Sequence, residues 1–137
     1  MKNIIGLVII VLSYLGLSAC DAPLEKNGNA QNRASVQHID AATFEKMLND
    51  TNVVVIDVRT SGEVTEGFIK GATVFADVNA SDFANKIKML APDKKYLIYC
   101  RSGARSTKAA NFMIDNGFTE VYNLDGGIMN YSGGITQ

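Results

Sequence analysis

One stretch of the chain sets a nucleophile among cations and small residues: Cys100-Arg101-Ser102-Gly103-Ala104-Arg105-Ser106. Cysteine reacts as its thiolate, which is favoured beside positive charge and unsatisfied backbone N–H groups. Arg101 and Arg105 supply the charge, and Gly103 lets the loop curl without a Cβ in the way, so that backbone donors approach the sulfur. Ser102 and Ser106 can donate hydroxyl hydrogen bonds or cap a helix. Arg101, Ser102, Gly103, Ala104 and Arg105 therefore form a candidate anion-binding loop, with Cys100 as the candidate nucleophile. The plainer alternative makes Cys100 a buried small hydrophobe beside two solvated arginines.

Such a loop needs a strand before it and a helix after it. Tyr96 to Tyr99 reads as a strand ending at Cys100, and a helix is predicted from about Gly103 to Asn116, closed by Gly117. Upstream, Val36 to Ile39 reads as a first strand, Asp40 can cap a helix running through Asn49, and Val53 to Asp57 suits a buried central strand. Thr60 or Ser61 can cap a short helix ending near Gly67, and Ala72 to Phe75 reads as a strand. Ser81 opens a helix with Phe83, Ile87 and Leu90 on one face, stopped by Pro92, and Glu120 to Asn123 adds the last strand. After Asp125, glycine-rich sequence predicts a helical turn and a loose tail. Short β-branched runs alternating with amphipathic helices predict an α/β domain with a mostly parallel sheet of about five strands flanked by helices.

The 137 residues and 47% hydrophobic fraction supply one domain with a packed core. A formal charge of -1 provides no broad basic field, so nucleic acid is not expected as a partner. With one histidine, His38, and two cysteines, the usual soft ligand set of a zinc site is not available, so no metal is expected. Lys2 followed by an uncharged apolar run from Ile4 to Leu17 has the form of a secretory signal, too short for the roughly 20 residues of a membrane span. Leu17-Ser18-Ala19-Cys20 resembles the lipobox of bacterial lipoproteins, which implies a signal peptide over residues 1–19 and acylation of Cys20. Asp21 resembles an inner-membrane retention signal, so the expected location is the cell envelope, on the periplasmic side of the inner membrane. Residues 20–35 read as a lipidated flexible linker and residues 36–137 as the domain. A lone thiol in an oxidising compartment is a liability unless it is used, which strengthens the chemical reading of Cys100.

The loop at Cys100 resembles the active-site loop of single-domain rhodaneses. Asp57-Val58-Arg59 followed by Glu63, Glu66-Gly67 and Gly71-Ala72 resembles their earlier signature, and Asn123-Leu124-Asp125-Gly126-Gly127-Ile128 their C-terminal motif. The resemblance covers about residues 36–131 and implies a rhodanese-like fold and a thiosulfate sulfurtransferase. In that enzyme Cys100 would take sulfur from a small anionic donor as a persulfide and pass it to cyanide, a thiol or a protein acceptor, with no cofactor. Asp57 and Arg59 would pair behind the loop, either as a brace or as a plain structural ion pair. The sequence departs from the family pattern at Phe68, Lys70 and Tyr131. The rival readings are a sulfur carrier or sulfide-sensing binding module, and a phosphatase or arsenate reductase. The last pair requires a loop one residue longer than the four residues that separate Cys100 from Arg105.

Overall fold

The computed structural model describes residues 33–137; the expected signal peptide, Cys20 and nearly all of the linker lie outside the described residues. The elements follow the predicted order. They are β1 (Gln37–Ile39), α1 (Ala41–Met47), β2 (Val53–Asp57), α2 (Ser61–Thr65), β3 (Phe68–Ile69), β4 (Ala72–Phe75), α3 (Phe83–Lys88), β5 (Lys95–Tyr99), α4 (Ala104–Asp115), β6 (Glu120–Leu124), a 3-10 turn (Gly127–Asn130) and β7 (Ile135–Thr136). Five strands form a sheet in the order β1-β6-β5-β2-β4, every pair parallel. The expected α/β fold with a five-stranded parallel sheet is the one observed.

Alternation along the strands divides the core between the two sheet faces. Val55, Leu97 and Tyr99 join Phe44 of α1 on one face, while Ile56, Tyr96 and Ile98 join Phe83, Ile87, Ala109 and Met113 of α3 and α4 on the other. Residues of one strand that are two apart share a face, so Cys100, two past Ile98, falls on the α4 side. The fully buried Ile56, Ile98 and Phe44 contribute about 1.5–3 kcal/mol each by burial.

Local chemistry sets the helix ends. The Asp40 carboxylate accepts the Thr43 N–H at 2.8 Å, and Thr60 with Glu63 forms a reciprocal capping box at the start of α2. Gly117, at φ +92°, follows α4 as its C-terminal glycine. Two expectations are corrected. Ser81 does not cap α3: the Asp77 carboxylate organises the preceding turn through the Asn79 N–H at 2.9 Å, and α3 begins at Phe83. The tail is not loose, because β7 pairs antiparallel with β3, Ile135 opposite Ile69, in a second small sheet.

Candidate functional site

The parallel strands deliver their carboxyl ends to one edge, where β2 ends at Asp57 and β5 hands over to Cys100. Cys100 is 1% exposed and its loop turns into α4 through Gly103, at φ +102°. That left-handed conformation bends the Gly103 N–H back onto the Cys100 Sγ at 3.1 Å. Ser106, one turn into α4 and fully buried, places its Oγ 3.4 Å from the same sulfur. Burial pushes the Cys100 thiol up, but hydrogen bonds from the Ser106 hydroxyl and from the amides of Ser106, Gly103 and Ser102 outweigh it, so the thiol sits below the ordinary cysteine value. The site therefore favours a thiolate.

Behind the loop stands a support that local sequence pattern leaves without a role. The Ile128 N–H donates to the Cys100 carbonyl at 2.9 Å and the Met129 N–H to that of Arg101 at 3.1 Å. Gly127, at φ +61°, makes this close approach possible: a Cβ there would lie 2.5 Å from the Arg101 carbonyl carbon. The glycine pair after Asp125 is the only signal of this backbone packing in the sequence.

Four of the charged groups around the loop are sorted into pairs. Asp57 and Arg59 form a buried bidentate contact, with Nε 3.0 Å and Nη2 2.6 Å from Oδ2, and Nη2 also donates to the Gly67 carbonyl at 2.7 Å. The guanidinium lies 5.7 Å from the Tyr99 ring centroid. Arg105, expected to lend its charge to the loop, forks onto Glu63 at 2.8 and 2.6 Å. Arg101 is exposed and lines an open cleft with Arg59, Glu63, Glu66, Ile128 and Met129. The side chains of Ser102 and Ala104 face outward, so Ser102 acts on the sulfur through its amide.

Hydrogen bonding from Arg105 holds the Glu63 carboxyl at about 2, against the opposing effect of burial and with help from the Thr60 amide and hydroxyl. A carboxyl depressed on folding stabilises the native state above its unfolded value and loses that contribution as pH falls through the folded value. Glu63→Gln is therefore expected to lower stability fully above about pH 5, with the difference from wild type shrinking between about 4.5 and about 2. Urea unfolding across that range checks it; a difference independent of pH would rule out the ionised pair as its source.

The positions that depart from the rhodanese pattern lie around the small β3–β7 sheet and α1, with the Lys70 side chain exposed. Phe68 stacks edge-on against Phe75 at 5.0 Å, the Lys70 N–H donates to the Gly134 carbonyl at 2.8 Å, and Tyr131 packs against Phe44 while its hydroxyl donates to Glu45.

A family model described as "Rhodanese-like domain" matches residues 40–133. Among solved structures, a rhodanese-related protein from Thermoplasma volcanium is 28% identical with a TM-score of 0.64, covering 73% of this chain and 97% of that one. A rhodanese-like domain protein from Staphylococcus aureus, at 24% identity and TM-score 0.64 over 73% of this chain and 96% of that one, shares the fold. Curated relatives carry the name tRNA uridine(34) hydroxylase. The protein from Cytophaga hutchinsonii is 41% identical over 103 residues, covering 74% of this chain and 32% of that protein. One from Buchnera aphidicola is 35% identical over 97 residues, covering 69% of this chain and 30% of that protein. The chain thus spans about a third of the length of these relatives.

Those names correct the expected thiosulfate sulfurtransferase: the relatives are named for a hydroxylation of tRNA. The physical reason is plain. A cysteine loop at a strand-to-helix junction specifies a thiolate and an anion cradle, whereas the electrophile is chosen by groups outside that loop.

Proposed function

The chain belongs to the rhodanese-like domain family, and from that premise we propose that it is the thiolate-bearing component of an activity that modifies uridine 34 of tRNA. The observation that carries the reading is the pair of contacts on the Cys100 Sγ, 3.1 Å from the Gly103 N–H donor and 3.4 Å from the Ser106 Oγ. A thiolate so held adds to an electrophilic carbon placed against the loop amides and Arg101, the π electrons of that carbon's double bond moving onto the conjugated oxygen, and the hydroxylation takes its oxygen atom and two-electron oxidation from dioxygen, a co-reactant from outside the chain. The relatives at 41% and 35% identity supply the substrate class through their names. With a formal charge of -1 the chain has little capacity to release counterions from RNA, so the tRNA is gripped by other parts of the assembly in which it works.

The test is nucleoside mass spectrometry of tRNA from cells lacking the gene, complemented with wild type or Cys100→Ser. Wild type is expected to restore hydroxylated uridine 34 and Cys100→Ser to leave it absent; equal modification in both would remove Cys100 from the reaction.

A second reading is favoured by the N-terminal sequence. Lys2, the apolar run from Ile4 to Leu17 and Cys20 are proposed to direct export and lipid anchoring, and an exported domain meets no tRNA. The thiolate would then act on a small anionic electrophile at the envelope. Cell fractionation separates the two: an acylated chain beginning at Cys20 in the membrane fraction rejects the tRNA reading, and an unprocessed cytoplasmic chain rejects the envelope one.

A further inference from the structure

Ser106 has one hydroxyl proton and two acceptors within reach, the Cys100 Sγ at 3.4 Å and the Gly103 carbonyl at 3.0 Å. A carbonyl oxygen has two lone pairs. At Gly103 both already have donors from Thr107, the backbone N–H at 3.0 Å and the Oγ1 hydroxyl at 2.8 Å. The Thr107 hydroxyl in turn is oriented by Asn123 of β6, whose Nδ2 donates to the Thr107 Oγ1 at 3.2 Å and so turns the threonine proton away, toward Gly103. Asn123 is 1% exposed. Its Nδ2 also lies 3.2 Å from the His38 Nδ1, which faces the Asp125 carboxylate at 2.9 Å, while its Oδ1 finds no partner among the described residues.

We propose that Thr107, oriented by Asn123, is a positioning residue: by saturating the Gly103 carbonyl it leaves the Ser106 proton for the Cys100 sulfur. This rests on the reading of Cys100 as the reacting thiolate. Without the threonine hydroxyl, the Gly103 oxygen regains a free lone pair at shorter range than the sulfur and captures the Ser106 proton. The sulfur then loses one of its donors, although neither Thr107 nor Asn123 touches it.

The test is the pH profile of iodoacetamide alkylation of the full-length chain, followed by mass on the Cys100 peptide. Thr107→Val is expected to move the midpoint up by about one unit, a roughly tenfold slower reaction below both midpoints. Thr107→Ser keeps the hydroxyl and is expected to retain the wild-type midpoint. Ser106→Ala, which shifts the wild-type profile by itself, is expected to add little on top of Thr107→Val, because the proton it removes has already left the sulfur. If Thr107→Val does not give the wild-type circular dichroism spectrum, Thr107→Ala takes its place. A valine profile superimposed on wild type, or a Ser106→Ala effect that adds in full, overturns the proposal. A wild-type midpoint at the ordinary cysteine value of about 8.5 would instead overturn the thiolate reading on which it rests.

Discussion

Asp57→Ala is expected to destabilise the domain by about 3–5 kcal/mol, because it strands a cation in the interior. Asp57 is fully buried and Arg59 is 6% exposed. The carboxylate takes the Arg59 backbone N–H at 3.0 Å as well as its guanidinium, so one side chain holds both the bend after β2 and the charge beyond it. Burial and the hydrogen bond with Asp57 also push the Tyr99 hydroxyl far above the usual phenol range, and that oxygen accepts the Ile69 N–H at 3.0 Å. Removing Asp57 leaves Arg59 with the Gly67 carbonyl and the Tyr99 ring as partners. The double variant Asp57→Ala/Arg59→Met removes the stranded cation and should recover much of the loss. Urea unfolding of the single and double variants is the measurement; a single-variant loss below about 1 kcal/mol would mean that the pair behaves as if solvated.

Gly127→Ala is expected to slow Cys100 alkylation at neutral pH by about tenfold or more, with a stability cost of about 1–3 kcal/mol. The added methyl would meet the Arg101 carbonyl carbon and oxygen at 2.5 Å and the Cys100 carbonyl oxygen at 2.6 Å, all backbone atoms that cannot swing aside. Relief requires the 3-10 turn to retreat, which breaks the Ile128 and Met129 N–H bonds to the loop carbonyls. Once the loop is released, the Gly103 and Ser106 donors no longer converge on the sulfur. Gly133→Ala is an informative comparison: its new methyl would meet the Tyr131 ring and hydroxyl and the Glu45 carboxylate, which are side-chain rather than backbone atoms and lie away from the loop. A Gly127→Ala protein that alkylates at the wild-type rate would show that the turn does not support the loop.

Most of the elements and the cysteine loop are legible in the residue order, because they depend on residues within a few positions of one another, whereas β3, β7 and the start of α3 are not. β2 and β5 are apolar runs, α2 opens with its Thr60–Glu63 capping box and α4 is closed by Gly117; each signal lies inside a single turn or strand. Cys100 and Gly103 also lie within one loop, so the thiolate site is legible from the residue order alone.

Only the tertiary structure decided where the charges go. Arg105 looks like part of the anion site until packing brings Glu63 to it across 42 positions, and a bidentate partner at 2.6 Å claims a guanidinium that sequence proximity assigned to the sulfur. The pairing of β7 with β3 and the seat of Gly127 against Arg101 depend likewise on backbone meeting backbone from distant parts of the chain. The electrophile belongs to the same class of question. The cleft beside Arg101 is built from the bend after β2, α2, the cysteine loop and the 3-10 turn together, and its chemistry is a property of that assembly rather than of any one segment.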